Sequence, residues 1–224
     1  YPYYPDHMRR MGFEKEAEWV EFYVTVPDAI PEKHRRIAEL VQKRNNLHIK
    51  KYTSRKKIKE EYGVALFELI NEAYDKLYGY CPLTPRQIQY YIDMYLGILN
   101  LDLVTLVVDA EDKLVAVGIS IQSFSKALQK SRGRLFPFGW VHLLKALRGK
   151  SDAVDLLLIA VKPEYQNKGV NALLFADLIP YYNKHGFKHA ESNPELADNA
   201  KVQDQWQYFE NRLHRRRCSW RKPL

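Results

Sequence analysis

A short polar loop between an apolar strand and an apolar helix is the stretch of the sequence best suited to bind a ligand. It lies within VKPEYQNKGVNALLF, residues 161–175, and contains one glycine, Gly169. The first N–H groups of a helix have no partner within the helix, and the helix dipole places positive charge beside them. A strand, a glycine loop and a helix N-terminus together commonly present such groups to a phosphate. The stretch therefore predicts a phosphate-binding loop, with an ordinary crossover loop as the alternative.

The segments on both sides of this loop have the patterns of a strand and a helix. DLLLIAV (155–161) is an unbroken leucine-rich and β-branched run, which is typical of a strand buried on both faces. Pro163 is expected to end the strand because proline has no N–H to donate to a sheet. After the loop, apolar residues recur at helical spacing: Val170, Leu173, Leu174, Leu178 and Ile179.

The composition is that of a folded protein with a sizeable core. Of the 224 residues, 46% are hydrophobic and 16 are tyrosines. No run approaches the ~18 apolar residues that a membrane span needs, so no membrane partner is expected. Cys81 and Cys218 lie far apart, without metal-type spacing or a disulfide framework. We therefore expect a cytoplasmic protein that binds no metal.

The net charge of +8 raises the question of nucleic-acid binding. The basic residues are scattered, apart from KKYTSRKKIK (50–59) and RLHRRRCSWRK (212–222). Both segments are expected to be the solvated face of a helix or strand. Nucleic-acid binding through Arg215 to Arg217 is therefore the less favoured interpretation, and a basic surface equally attracts a polyanionic cofactor.

The remaining patterns predict a mixed α/β protein. From Leu47 onward the predicted order is β-α-α-β-β-insertion-β-α-β-α-β, and residues 124–150 form a helical insertion broken by Gly133 and Pro137. The other predicted elements are a strand over 47–52, a helix capped by Thr53 or Ser54, a helix capped by Thr84, strands over 103–109 and 113–123, a strand near 187–192, a helix from about Pro194 to Asn211, and a strand over 213–221.

This order, with a glycine loop after the fourth strand, resembles the GCN5-related N-acetyltransferase (GNAT) superfamily. The main signature of that family is Gln or Arg, two residues, Gly, one residue, then Gly or Ala. Here it reads QNKGVN, with Gln166 and Gly169 in place and Asn171 where a small residue is usual. The resemblance covers about Leu47 to Leu224 and implies a mixed, mostly antiparallel twisted sheet flanked by helices.

The resemblance also implies acetyl-CoA as the acyl donor and assigns residues to it. It places the pyrophosphate at the loop residues, which are Gln166, Asn167, Lys168, Gly169, Val170, Asn171 and Ala172. It pairs the pantetheine arm with the backbone at the end of the strand, Ile159, Ala160 and Val161, and lets Asn199 reach the coenzyme. Asn171 either narrows the loop or donates its side-chain amide to a phosphate.

The chemistry implied is transfer of an acyl group, most simply acetyl, from a coenzyme A thioester to a primary amine by direct attack. A carboxylate can take the proton of the acceptor ammonium. Asp155 falls, by resemblance, where histone-type members carry a glutamate base, and Glu191 on the next strand is a second candidate. Asp155 as a strand-end aspartate and Glu191 as a solvent-facing residue are the alternatives.

A tyrosine is a suitable proton donor to the departing thiolate, because its pKa near ~10 exceeds the ~8.5 of a thiol. Family members often carry Asn, Tyr seven residues on, and Gly-Phe four residues later. Counting from Asn199 reaches Trp206, whereas counting back from Arg212 reaches Tyr208. Only Tyr208 has the required hydroxyl, and a core aromatic is its alternative role.

The insertion has an unusual concentration of aromatic side chains. Phe136, Phe138 and Trp140 lie within RLFPFGWVHLL (134–144) and predict either a wall of the acceptor site or a lid. A small satellite core is the alternative. The neighbouring His142 has no ligand-like spacing to another residue, so no metal is expected.

The first 45 residues are interpreted separately from the domain over 46–224. A helix ending in MGF followed by the strand-like EWVEFYV is how domains of this family commonly end. Residues 1–45 are therefore predicted to be the tail of a preceding, similar domain plus a connecting helix. The alternative is an extension that adds a strand to the sheet.

Two functions of different classes follow from these patterns. The first is an acyl-CoA-dependent N-acyltransferase acting on an unknown amine. The second is a catalytically inactive module on the same fold that binds coenzyme A or another partner. The conflicting tyrosine registers and Asn171 favour the second; the loop in its strand–helix setting favours the first.

Overall fold

The leucine-rich segment before the loop forms strand β5, Ala153–Val161, near the middle of a mixed sheet. The computed structural model describes residues 1–149 and 151–223. Lys150, predicted to end the insertion, and Leu224, the end of the predicted domain, lie outside the described residues.

Eight strands of the described residues make up this sheet. Its order is β2-β3-β4-β5-β6-β1-β7, with β8 pairing to the other edge of β1. Only the β5–β6 pair is parallel among the pairings of the described strands, so the predicted mostly antiparallel sheet is confirmed. The other strands are β1 Glu14–Thr25, β2 His48–Lys50, β3 Val104–Val108, β4 Leu114–Gln122, β6 His189–Ser192, β7 Glu195–Leu196 and β8 Asn211–Arg221.

Helices cover both faces of the sheet, and two of them begin at predicted caps. The Ser54 hydroxyl accepts from the Lys57 N–H, and Thr84 forms a capping box with Gln87. The helices are α1 Tyr3–Arg10, α2 Glu32–Asn45, α3 Arg55–Tyr74, α4 Pro85–Tyr95, α5 Ser125–Ser131, α6 Gly139–Arg148, α7 Val170–His185 and α8 Ala200–Gln203.

The core is divided by the sheet. Helices α3 and α4 bury their apolar residues against one face of strands β3 to β5. Helix α7 covers the other face, and α2 packs along α7. Strand β5 therefore lies at the boundary between a helix-covered region and the polar half of the sheet formed by β6, β1 and β8.

A bulge at Leu157 changes the facing of β5. Ile119 pairs with Leu158 and Ser120 with Leu156, so Leu157 is the extra residue. Before the bulge, Val154 and Leu156 pack under α7; after it, the α7 side receives Ile159 and Val161 instead. Several residues of β5 are only half-buried, so the prediction of a strand buried on both faces was wrong there.

The predicted helix from Pro194 to Asn211 was wrong over half of its length, mainly at its start. Glu195 and Leu196 instead form β7 against Val20 and Trp19 of β1, a partner distant in sequence. The helical part is limited to α8 and a 3₁₀ turn over Asp204–Tyr208. The Gln203 side chain donates to the carbonyls of Leu196 and Ala197, which fixes this compact arrangement.

The N-terminal segment is part of the sheet. Strand β1 pairs with β6 and β7 along one edge and with β8 along the other. The origin of residues 1–45 in a preceding domain stays a prediction. Within residues 1–149 and 151–223, no helix has the length and apolarity needed to cross a membrane.

Candidate functional site

The predicted phosphate loop turns at Gly169 and leads directly into α7. Gly169 has φ +80°, in the left-handed region that favours glycine. A Cβ atom there would lie 2.9 Å from Cγ2 of Ile37 and 3.2 Å from Cγ2 of Val41, both on α2. Glycine is therefore required by the backbone conformation and by the packing of α2, whether or not a phosphate binds.

Four amides of the loop remain available for a ligand. The N–H groups of Asn167, Gly169, Val170 and Asn171 make no hydrogen bond to a described residue. Lys168 N–H donates to the Tyr165 carbonyl at 3.4 Å and Ala172 N–H to the Gly169 carbonyl at 3.0 Å, so these two predicted donors are engaged. The loop side chains before Gly169 are exposed, which leaves this end of α7 accessible to an anion.

Strands β5 and β6 separate beside this loop. Their pairing ends at Leu156 and Ser192, and the later residues of β5 bond only to β4. Since Lys162 N–H donates to the Val115 carbonyl, Ile159 and Val161 direct their backbone groups into the gap. Ala160, predicted with them, directs its backbone toward Val117 of β4 and away from the gap.

The backbone in this gap offers donors while its acceptors are engaged. The N–H groups of Ile159 and Val161 make no hydrogen bond to a described residue. The Ile159 carbonyl accepts from the Tyr74 hydroxyl at 2.9 Å, and the Val161 carbonyl accepts from the Gln166 side chain at 3.0 Å. The Leu157 carbonyl accepts from the side-chain amide of Asn193. An extended ligand with amide carbonyls therefore fits this edge better than one that must donate to it.

Asp155 and Glu191 lie side by side on the sheet face opposite α7. They are in direct register across β5 and β6, while the adjacent Val154 and Ala190 pack under α7. Burial raises the pKa of Asp155, a hydrogen bond from Ser123 opposes this, and the neighbouring Glu191 charge adds to it. The structure thus brings the two predicted base candidates together and favours proton uptake by Asp155.

Glu21 completes this group of carboxylates and was missed from the sequence. It is 4% exposed, and Arg217 and Arg215 reach its two oxygens at 2.7 and 3.3 Å. Arg215 also lies 3.5 Å from Glu191. The only sequence signal was the position of Glu21 within an apolar strand pattern, and its partners are nearly two hundred residues away.

Tyr208 lies on the other side of the sheet from Asp155. Its hydroxyl accepts from the Lys33 ammonium at 3.1 Å, and its ring contacts His34 with centroids 5.1 Å apart. Both partners belong to α2. Trp206, reached by the other count, is buried with its indole N–H donating to the carboxylate of Glu195. Asn199 precedes α8 without capping it by its side chain.

Tyr74 is a second phenol near the gap, and sequence analysis did not single it out. It ends α3, and its hydroxyl reaches the open edge of β5 at Ile159. Burial raises the pKa of Tyr74 to about 12, which keeps the hydroxyl protonated at neutral pH. The sequence around Tyr74 contains no pattern that would predict contact between its hydroxyl and the edge of β5.

Glu195 is a carboxyl on the α7 side of the sheet with an altered pKa. Burial raises its pKa to about 7, although hydrogen bonds from Trp206 and Ser192 oppose the shift. The Trp206 indole N–H lies 3.0 Å from Oε1. This carboxyl therefore titrates near neutrality without contacting the Asp155 group.

The aromatic residues of the insertion are exposed, so they do not form the satellite core considered as an alternative. Phe136 is 77% and Phe138 72% exposed. The insertion leaves the sheet beside Asp155: Ile121 pairs with Asp155, and Lys126 forms an ion pair with Asp152 at 2.7 Å. Its role as lid or acceptor wall stays a prediction.

No cluster of three His, Cys, Asp or Glu side chains in residues 1–149 and 151–223 is arranged to hold a metal ion.

The arginine run on β8 is paired with acidic side chains. Arg215, Arg216 and Arg217 each form an ion pair with a glutamate of β1. These pairs neutralise the charge on which nucleic-acid binding would depend.

Comparison with known proteins gives a distant sequence relative. The chain is 21% identical over 180 residues to Protein YghO of Escherichia coli strain K12, covering 80% of this chain and 45% of that protein. No protein-family model matches the chain. The chain therefore spans less than half the length of this relative.

Solved structures give a clearer likeness in fold. A GCN5-related N-acetyltransferase from Sphaerobacter thermophilus superposes with a TM-score of 0.60 at 12% identity, over 97% of this chain and 55% of that one. A tandem GNAT protein from the clavulanic acid biosynthesis pathway gives 0.56 at 12% identity, over 97% and 57%. The chain thus spans little more than half the length of either protein. The fold predicted from the sequence is confirmed.

Proposed function

From the GNAT fold of the chain, we propose that this protein is an acyl-CoA-dependent N-acyltransferase that transfers acetyl from acetyl-CoA to a primary amine by direct attack. Two sets of free backbone donors carry the proposal. The first is the amides of Asn167, Gly169, Val170 and Asn171, and the second is the amides of Ile159 and Val161. They lie in sequence order along one strand, loop and helix, as an extended anionic ligand requires.

Binding of the acyl donor falls to these backbone groups. The amides of Asn167, Gly169, Val170 and Asn171 would hold the pyrophosphate at the positive end of the α7 dipole. The N–H groups of Ile159 and Val161 would donate to the amide carbonyls of the pantetheine arm and to the thioester oxygen. Coenzyme A supplies the activated acyl group as a thioester.

Asp155 is the proposed base. It would take a proton from the acceptor ammonium, and its raised pKa brings it closer to the operating pH than an ordinary aspartate. Glu191 is the proposed second carboxylate, which adds negative charge beside Asp155. The insertion residues Phe136, Phe138 and Trp140 remain proposed for the acceptor side, because the insertion begins next to Asp155.

Two phenols are proposed as donors of the proton to the departing thiolate. Tyr208 is proposed from the family resemblance, which also lets Asn199 reach the coenzyme. Tyr74 is proposed from its position, because its hydroxyl lies at the open edge of β5. The Tyr208 hydroxyl faces Lys33 on α2. Comparing the two tyrosine-to-phenylalanine variants distinguishes them.

A catalytically inactive module is the second candidate. One observation favours it: the carbonyls of Ile159 and Val161 already accept hydrogen bonds from the side chains of Tyr74 and Gln166. These acceptors are therefore not available to a ligand. Release of free thiol from acetyl-CoA in the presence of a panel of primary amines tests the proposal. Binding of acetyl-CoA with no amine-dependent thiol release across the panel would favour the module.

We also propose that the protein acts in the cytoplasm and that residues 1–45 continue from a preceding similar domain. Both cysteines are free, in keeping with a reducing compartment. Solved proteins of this fold that match nearly the whole chain are almost twice as long, one of them a tandem GNAT protein. Extending the chain toward its N-terminus and finding no second domain of this fold would refute the second proposal.

A further inference from the structure

The insertion exposes a group of apolar side chains that nothing in the described residues covers. These side chains range from 41% exposed at Leu144 to 77% at Phe136. Three of them, Trp140, Leu144 and Leu147, recur along one stripe of α6. The full set is Leu128, Leu135, Phe136, Phe138, Trp140, Leu144 and Leu147. A helix stabilised by its own apolar face would turn this stripe inward, so its exposure requires another explanation.

The same segment carries a strong excess of positive charge. Residues 124–150 contain seven Lys and Arg residues and no Asp or Glu. Lys130, Arg134 and Lys145 are exposed and form no ion pair with a described residue. Arg215 to Arg217 on β8, by contrast, are all paired with glutamates. The insertion therefore combines unneutralised positive charge with the exposed apolar residues in one segment.

Glycine holds this segment in a fixed shape. A Cβ atom at Gly139 would lie 1.7 Å from the Arg134 carbonyl oxygen, so the chain turns back tightly at the start of α6. The Trp140 indole N–H donates to the Pro137 carbonyl at 2.9 Å. The aromatic group is thus presented in a defined arrangement.

We propose that the insertion, residues 124–149, is a docking surface for an anionic lipid bilayer. Phe, Trp and Leu side chains insert at the boundary between headgroups and acyl chains, and unpaired Lys and Arg are attracted to anionic headgroups. Nucleic acid accounts less well for the surface, because four of the seven exposed apolar residues are leucines, which have no aromatic face on which a base could stack.

Docking in this way would place the membrane near the end of β4 that adjoins Asp155. The insertion follows Gln122, and the last residues of β4 pair with Asp155 and Val154. Lys126 and Asp152 join its first helix to the start of β5. The inference rests on the surface alone and does not depend on acyl transfer.

Vesicle flotation tests the proposal directly. The full chain is expected to float with phosphatidylcholine vesicles containing phosphatidylglycerol and to remain unbound with phosphatidylcholine alone. Phe136→Ser with Phe138→Ser should lower the partition coefficient at least about tenfold. The matched control is Tyr90→Ser with Tyr95→Ser, which removes two exposed aromatic residues from α4, where Arg86 and Asp93 balance in charge. The control should bind as the unmodified protein does.

Charge reversal provides the second arm. Lys130→Glu, Arg134→Glu and Lys145→Glu together should lower binding to the anionic vesicles at least about a hundredfold, since each basic residue contributes about 1 kcal/mol near such a surface. Unchanged circular dichroism would show that the variants fold. The proposal is overturned if the unmodified protein does not float with anionic vesicles, if the α4 control loses as much binding, or if the insertion binds DNA in preference to vesicles.

Discussion

The loop before α7 and the Asp155 face lie at opposite ends of strand β5 and are assembled in different ways. The loop site is built from consecutive residues, and its donors are backbone amides fixed by Gly169 and the start of α7. The Asp155 face takes one side chain from each of four strands: Glu21, Asp155, Glu191 and Arg215. The first region depends on local backbone geometry, whereas the second depends on sheet order. They can therefore be perturbed separately.

The largest effect is expected on the Asp155 face. Asp155→Asn should lower kcat by about 10²–10⁴-fold, the range for loss of a general base, without changing the affinity for acetyl-CoA. Because Asp155 must be ionised to accept a proton and its pKa is raised, activity should fall as pH drops through that pKa, and the variant should lack this acidic limb. Glu191→Gln is the matched control and should retain most of kcat. An equal loss in both variants, with weakened coenzyme binding, would mean that the face is structural.

Glu195 gives the next largest effect, on the loop side of the sheet. Its native pKa of about 7 lies above the ordinary value, so the native state holds this proton more tightly than the unfolded chain does. The stability it contributes is complete below the unfolded pKa and is lost as pH rises through 7. The free energy of unfolding should therefore fall by up to about 3 kcal/mol between acidic and mildly alkaline pH.

Glu195→Gln should remove that pH dependence, because the amide keeps an acceptor for the Trp206 indole N–H and cannot ionise. Urea unfolding at several pH values measures both proteins. If the two stability curves run parallel across this range, Glu195 does not titrate in the native state as described.

Asn171→Asp separates binding by the loop from its folding. The acidic side chain in the first turn of α7 favours the helix dipole and should leave stability unchanged or raise it by about 0.3–1 kcal/mol. The same charge beside the predicted pyrophosphate position should weaken coenzyme A binding about tenfold or more. Calorimetry and thermal unfolding are measured on the same samples.

Asn171→Ala is the control for this variant, because it also removes the hydrogen bond to Gln205 but adds no charge. It should bind coenzyme A nearly as well as the unmodified chain. A loss of affinity as large as that of the aspartate variant would indicate that the Gln205 contact, and not the phosphate charge, controls the loop. Gly169 is less suited to this test, since any side chain there would also collide with α2.

The smallest changes in kcat are expected for the two tyrosine-to-phenylalanine variants. Tyr74→Phe is expected to lower kcat about tenfold or more, as for loss of a proton donor, and Tyr208→Phe less than threefold. Tyr74→Phe also leaves the Ile159 carbonyl without its hydroxyl donor, so its stability must be measured alongside kcat. If only Tyr208→Phe lowers kcat, the proton donor is Tyr208, the tyrosine predicted from the family resemblance.

The contrast between the two regions also explains how much could be predicted from sequence. The loop, strand β5 and α7 were predicted because their signals, namely Pro163, Gly169 and the apolar periodicity, are local. Asp155 was predicted as a base through family resemblance and Glu191 as a second candidate, but their direct register across β5 and β6 was not predicted. Glu21 and Tyr74 could not be predicted, because β1 enters the sheet between β6 and β8 and α3 ends beside β5, which no local pattern encodes.

The failed helix over 194–211 has the same physical origin. Its sequence carries helical residues, but Glu195 and Leu196 pair with β1, a strand that the sequence patterns assign to a different domain. The exposure of Phe136 and Phe138 is a related case, since aromatic spacing alone does not distinguish a buried cluster from an exposed one. Local signals therefore located the loop, while tertiary pairing determined the groups around it.

Titration calorimetry of the unmodified chain with acetyl-CoA tests the central claim most directly. The account predicts saturable, one-to-one binding that free pyrophosphate weakens by competition, because the amides of Asn167, Gly169, Val170 and Asn171 are the proposed phosphate donors. Absence of binding at millimolar acetyl-CoA would contradict the claim.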